Sequence, residues 1–233
     1  MKFALISDIH ANLQALESAL AAIDAEGADA IYCMGDVVGY GADPGPCIDL
    51  IRDRCDGVVM GNHDLAVADG TNIGWLPPDG QIAAEYQRGV LSDDQRIWLK
   101  SLPYTLSTDA ISCVHASPME PDKWIRIESF FLAQAQFDYF DSNVCFVGHT
   151  HLPAILADRL GVLRVRPGHR YLINVGSVGQ PRDGDSRASV GFFDSDAFAY
   201  RLERIPYNVD QACERILTAK LPSSLARRLQ KGQ

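Results

Sequence analysis

Five of the chain's six histidines, together with two aspartates and an asparagine, stand in short stretches directly after apolar runs. Asp8 and His10 follow residues 2–7, and Asp36 follows residues 30–34 and Gly35. Asn62, His63 and Asp64 come after residues 58–60 and Gly61. His115 ends residues 111–114, while His149 and His151 flank Thr150 behind residues 144–147 and Gly148. Imidazole with carboxylate suits first-row transition metals such as manganese, iron and zinc. No cysteine belongs to the set, which argues against a structural zinc site of the thiolate kind. Any one of these short patterns is common by chance; five in equivalent positions point to a metal site. The donors are too many for one ion. Two ions about 3.5–4 Å apart, bridged by one carboxylate, are a standard arrangement for in-line displacement at phosphorus.

Such donors need a fold that brings five loops to one place. Residues 2–7, 30–34 and 58–60 are short and apolar, as buried strands are. Between them, 12–26 carries apolar residues at helical spacing, and 46–54 reads as a helix with Pro46 in its first turn. This alternation predicts an α/β fold with parallel pairing. In open α/β sheets ligand sites lie beyond the carboxyl ends of the strands, where the five donor groups fall. Further on, 81–89 and 92–102 read as helices, the second opened by a Ser92/Gln95 capping box and closed before Pro103. Residues 111–114 and 144–147 return to strand, and 129–140 to helix. Residues 154–205 show short strands with turn signals, with a solvated hairpin tip around Arg164, Arg166, His169 and Arg170. Asn208 caps a last helix to about residue 220, and 225–229 adds one more turn. No linker or repeat appears, so a single domain over 1–233 is expected, with a helical insertion around 70–106.

Hydrophobic residues make up 47% and charged residues 22% of the 233, as in ordinary globular proteins. The longest apolar runs are too short to span a bilayer. The first residues reach Asp8 too early for a signal-peptide core. Six scattered cysteines without a C-x-x-C pair read as reduced core residues. These features place the chain in the cytoplasm, away from membranes. A net charge of −9 argues against general nucleic-acid binding. An acidic chain that handles phosphate needs a local positive centre, which bound metal ions can supply.

The ordered pattern D-x-H, G-D, G-N-H-D, H and G-H-x-H over residues 8–151 resembles the calcineurin-like metallophosphoesterases. The stretch NVGSVGQPRDGD at 174–185 is similar to the small prokaryotic branch of that family, so the resemblance covers about residues 1–206. It implies two packed mixed β-sheets flanked by helices, an αββα four-layer sandwich. It also implies two divalent ions, with manganese first and iron, zinc or nickel as the other candidates. One ion would be held by Asp8, His10, Asp36 and His151, the other by Asp36, Asn62, His115 and His149. The implied activity is hydrolysis of a small phosphodiester, phosphomonoester or dinucleoside polyphosphate by attack of a metal-bridging hydroxide. His63 would protonate the leaving group or bind the phosphoryl group, with Asp64 orienting it; the plainer alternative for His63 is a structural role behind the ligands.

Other residues admit two readings each. Tyr40 either stacks on a substrate base or packs within its Gly-rich loop. Arg182 either meets phosphate bidentately or pairs with Asp183 or Asp185. Gly39 and Tyr40 stand where protein phosphatases of the family carry Asp and Arg, which disfavours a protein substrate. Neither a P-loop, a dinucleotide fingerprint nor a nucleophile elbow is present. Family members that serve as non-catalytic protein-binding scaffolds lose ligands or the catalytic histidine; this sequence keeps them all.

Overall fold

The structure is a computed structural model that describes residues 1–162 and 164–233. In chain order the elements are β1 (Lys2–Ile6), α1 (Leu13–Glu26), β2 (Ala30–Cys33), α2 (Pro44–Arg54), β3 (Gly57–Val58) and α3 (Asn62–Asp69). There follow α4 (Pro78–Val90), α5 (Asp93–Ser101), β4 (Thr105–Ser107), β5 (Ile111–Val114), α6 (Phe130–Gln134) and β6 (Val144–Val147). The remainder is β7 (Ala154–Ala157), β8 (Tyr171–Asn174), β9 (Ala188–Asp194), β10 (Ala199–Ile205), α7 (Val209–Thr218) and α8 (Ser223–Lys231). One sheet runs β10-β9-β1-β2-β3 and the other β4-β5-β6-β8-β7. In the first, β1, β2 and β3 are parallel and β9 and β10 add antiparallel on one side; in the second, β5, β6 and β8 are parallel and β4 and β7 are antiparallel edges.

Side-chain alternation explains the layering. In β1, Phe3 and Leu5 enter the core between the sheets, while Ala4 and Ile6 face α1 and α2. In β6, Val144 and Phe146 meet the same inter-sheet core, and Cys145 and Val147 meet α6 with Phe137 and Phe140. Strands buried on both faces read as unbroken apolar runs, which is how the sequence writes them. The result is the expected αββα sandwich. The parallel strands β1, β2, β3, β5 and β6 all end on one edge, and the five donor loops leave from there.

Several boundaries differ from the sequence reading. β3 is only two residues long, because the backbone N–H of Met60 bonds to Pro103 instead of continuing the ladder. α3 was not expected; it starts inside the G-N-H-D stretch, and Asp64 at its third position accepts from the N–H of Gly61. α2 begins at Pro44 rather than Pro46. The helix expected over 129–140 divides into α6 and a 3₁₀ turn at Ala135–Asp138, where the buried Gln136 accepts from the N–H of Met119. The stretch 70–106 is helical only to Ser101, and Thr105–Ser107 joins a sheet edge as β4. The Ser92/Gln95 capping box forms as read. No helix among the described residues is long and apolar enough to cross a membrane.

Candidate dimetal centre

The donor loops are laced together by their backbones. Asp8 and His10 donate from their N–H groups to the carbonyls of Gly35 and Asp36, both at 2.9 Å. The N–H of His149 donates to the Asp8 carboxylate at 3.0 Å, and the N–H of His63 to Asp36 Oδ1 at 2.8 Å. Asp8, His10, Asp36, His149 and His151 all have left-handed φ, between 49° and 65°. For non-glycine residues that conformation costs about 1–3 kcal/mol each and persists only where surroundings enforce it. Gly148 enforces it at one point: a Cβ there would fall 1.9 Å from Ser7 Oγ.

The stretch at 174–185 props the same loops from behind. Ser177 Oγ donates to the Asp8 carbonyl at 2.8 Å, and Asn174 Nδ2 to the Gly148 carbonyl at 2.6 Å. A Cβ on Gly179 would lie 1.8 Å from the carbonyl oxygen of Ile9. Gly179→Ala should therefore destabilise the fold by about 1–3 kcal/mol or more, seen as a lower urea midpoint. An unchanged midpoint would mean that the loop yields without strain.

The histidine tautomers follow from their partners. His10 Nδ1 lies 3.0 Å from the Val38 carbonyl, His115 Nδ1 2.7 Å from that of Met34, and His151 Nδ1 2.5 Å from that of Gln180. A carbonyl only accepts, so each Nδ1 carries the proton and each Nε2 presents a lone pair. The Nε2 atoms of His10 and His151 face each other at 3.1 Å. Asp8 Oδ1 is 3.2 Å from His151 Nε2. Asp36 Oδ2 is 3.7 Å from His10 Nε2 and 3.3 Å from His115 Nε2. His149 Nδ1 and Asn62 Oδ1 stand 3.2 Å and 3.3 Å from His115 Nε2. Lone pairs turned on one another and on carboxylates repel unless cations sit among them, so this donor set fits metal ions. The donors form two clusters, Asp8/His10/His151 and Asp36/His115/His149, with the Asp36 carboxylate reaching towards both; a third set, His10/Asp36/His63, overlaps them.

Charge agrees with this arrangement. Burial holds His10 well below its ordinary pKa and lowers His63 to about 4 and His149 to about 3. Neutral imidazole is the ligating form. His115 is the exception: burial would lower it too, but the Asp36 carboxylate outweighs burial and lifts the ring to about 9, so a metal ion must displace its second proton to bind there. Burial opposes ionisation of Asp36, yet His115 and His63 hold it well below the usual carboxylate range.

Every residue singled out from the sequence except His169 gathers here. The expected Asp64–His63 contact is not made. Asp64 spends its two oxygens on the N–H groups of Val38 and Gly61, and His63 Nδ1, though buried, has no partner. Tyr40 is almost wholly buried, with its ring centroid 4.7 Å from that of His10 and 4.5 Å from that of His63, and its remaining surface borders the cavity. Arg182 is free of the aspartates expected to pair with it, since Asp183 binds Arg204 and Asp185 binds Arg187. Its guanidinium bonds Gln180 at 3.0 Å, lies over the Tyr40 ring, and lines a cavity of about 340 Å³. The far wall is Trp75, Lys123, Trp124 and Arg126, none of which the sequence reading named. Trp124 touches His115 edge-on at 5.9 Å, but no motif marks it. Of the helical insertion, only residues 72 and 75–77 border the cavity. His169 is remote, paired with Asp158.

The model of the calcineurin-like phosphoesterase superfamily domain matches residues 1–197. The chain belongs to this superfamily. An uncharacterized protein of Methanocaldococcus jannaschii is 36% identical over 241 residues, covering 99% of this chain and 98% of that one. The crystal structure of a metallophosphoesterase from Sphaerobacter thermophilus is 36% identical, with a TM-score of 0.89 over 100% of this chain and 99% of that one. A hypothetical protein from Pyrococcus horikoshii, 21% identical, shares the fold at a TM-score of 0.81 over 100% and 98% of the two chains. Membership of a phosphoesterase superfamily supports hydrolase chemistry at a coarse level, and the His/Asp clusters could hold metal.

Proposed function

We propose that the chain is a dimetal-dependent hydrolase of a small phosphodiester, phosphomonoester or dinucleoside polyphosphate, working in the cytoplasm. The observation that carries this is the pair of donor clusters, with Asp36 of one reaching towards His10 of the other, beside a cavity that Asp36, His149 and His151 line. Asp8, His10, Asp36 and His151 would hold one ion; Asp36, Asn62, His115 and His149 would hold the other, with manganese the first candidate. Two such ions, when bound, acidify water and neutralise charge on the phosphoryl oxygens. Arg182, whose guanidinium donates to Gln180 and has no carboxylate partner among the described residues, would donate to phosphoryl oxygens. His63, which lines the cavity, would deliver a proton to the departing oxygen. An intact donor set and an intact His63 support catalysis over the scaffold alternative.

Turnover of bis-p-nitrophenyl phosphate or p-nitrophenyl phosphate should vanish with EDTA and return with Mn²⁺. Absence of turnover with manganese, iron, zinc and nickel alike would sink the proposal and favour the scaffold. His149→Ala and His151→Ala should weaken different ions. Each loss should be at least about tenfold to a hundredfold, the scale of losing even an outer partner of a ligand. Mn²⁺ titration of each variant reads this; loss of both ions in each variant would refute the division.

A further inference from the structure

Asp64 is turned to the backbone, and among the described residues nothing hydrogen-bonds the His63 ring at Nδ1. Its orientation therefore comes from packing, and that packing traces to α4, which lies outside every donor motif. Gly39 stacks directly on the ring: with φ +96° it has no Cβ, and one placed there would be 2.4 Å from His63 Nδ1. Tyr40 closes a second side. Both belong to a loop, residues 39–41, clamped by Gln87, a fully buried side chain of α4. Gln87 Oε1 accepts from the N–H of Gly39 at 2.6 Å, and Gln87 Nε2 donates to the carbonyl of Gly41 at 2.7 Å. One planar amide thus fixes both ends of the turn. Two turns earlier in α4, Gly80 lets the helix approach: a Cβ there would be 3.2 Å from Tyr40 Cε1 and 3.4 Å from His63 Cε1.

The geometry points to α4 as the positioning element of His63, with Gln87 as the residue that fixes the loop against which the imidazole rests. This rests on the phosphoesterase proposal above and adds a residue to it. Gln87 touches none of the seven metal donors through a hydrogen bond, so its effect should fall on proton delivery and not on metal binding. It also accounts for a buried glutamine in an otherwise apolar helix face, where an unsatisfied amide would be costly.

The test uses the leaving group. A misaimed general acid matters most for a substrate whose alkoxide or phenoxide leaves poorly and least for p-nitrophenolate. Gln87→Met keeps the length of the side chain and removes both hydrogen bonds. Its kcat should fall about tenfold to a hundredfold on phenyl phosphodiesters, a part of the roughly 10²–10⁴ that general acid catalysis supplies. On bis-p-nitrophenyl phosphate it should fall several-fold less, with KM and Mn²⁺ binding unchanged on both. Gln87→Glu retains the acceptor for Gly39 and should restore part of kcat. Gly80→Ala favours the helix but presses on Tyr40 and His63, so it should show the same selective loss without a lower melting temperature. That variant decides the matter should Gln87→Met fail to fold. Equal losses on both leaving groups, or none, in a folded Gly80→Ala would overturn the assignment. An inactive wild type would instead count against the phosphoesterase proposal itself.

Discussion

Asp36→Asn is expected to weaken both divalent ions together and to lower turnover by on the order of 10³ or more even at saturating Mn²⁺. The two oxygens of Asp36 have different tasks. Oδ1 accepts from the backbone of His63, which asparagine can still satisfy, so the G-N-H-D loop should keep its place. Oδ2 faces His10 on one side and His115 on the other, which makes it the atom between the two clusters. Replacing the carboxylate by an amide removes one negative charge from both clusters at once and leaves no oxygen fit to bridge. It also removes the charge that lifts His115 to about 9 against the pull of burial. Isothermal titration with Mn²⁺ should show two weakened sites, with thermal melting of the metal-free protein nearly unchanged. One site of unaltered affinity would mean that the carboxylate is not shared.

The donors were legible in the sequence because each follows a short apolar strand within a few residues, and four of those strands, β1, β2, β5 and β6, are largely buried. Val144, Cys145, Phe146 and Val147 had to be strand on apolar grounds alone, and that places Gly148 and the two histidines behind it at the sheet edge. Local capping chemistry was equally plain: Ser92 and Gln95 announce α5. What was not legible depends on distant partners. α3 is too short to show a periodic stripe, and Asp64 satisfies its first turn only because the loop returns to it. The role first given to Asp64 failed for the same reason: adjacency to His63 in sequence says nothing of which backbone N–H groups converge on its carboxylate. Arg182 became free because Arg204, from β10, takes Asp183. Gln87 and Trp124 carry no motif at all, and only the packing of α4 and of residues 121–126 against the donor loops brings them in. Metal donors on one sheet edge are written in the chain; the residues that aim and enclose them are written in the tertiary contacts.

His63→Ala should leave both ions bound and cost about 10²–10⁴ in kcat, the usual contribution of a positioned acid. The backbone of residue 63 survives the change, so the N–H that holds Asp36 Oδ1 remains. The lost ring packs against Gly39, Tyr40 and Gly80 more than against the donors, and its Nδ1 bonds to nothing. The ring of His10 stands at 5.0 Å, and its tautomer is set separately by Val38. In the free protein, burial lowers His63 to about 4, so it is neutral at pH 7. An arriving phosphoryl group brings negative charge into the cavity, which favours the imidazolium. The deficit of His63→Ala should therefore be largest for poor leaving groups and should shrink for p-nitrophenolate, which departs without help. A variant that loses manganese instead would move His63 into the ligand set, where its place within reach of His10 and Asp36 would then explain it.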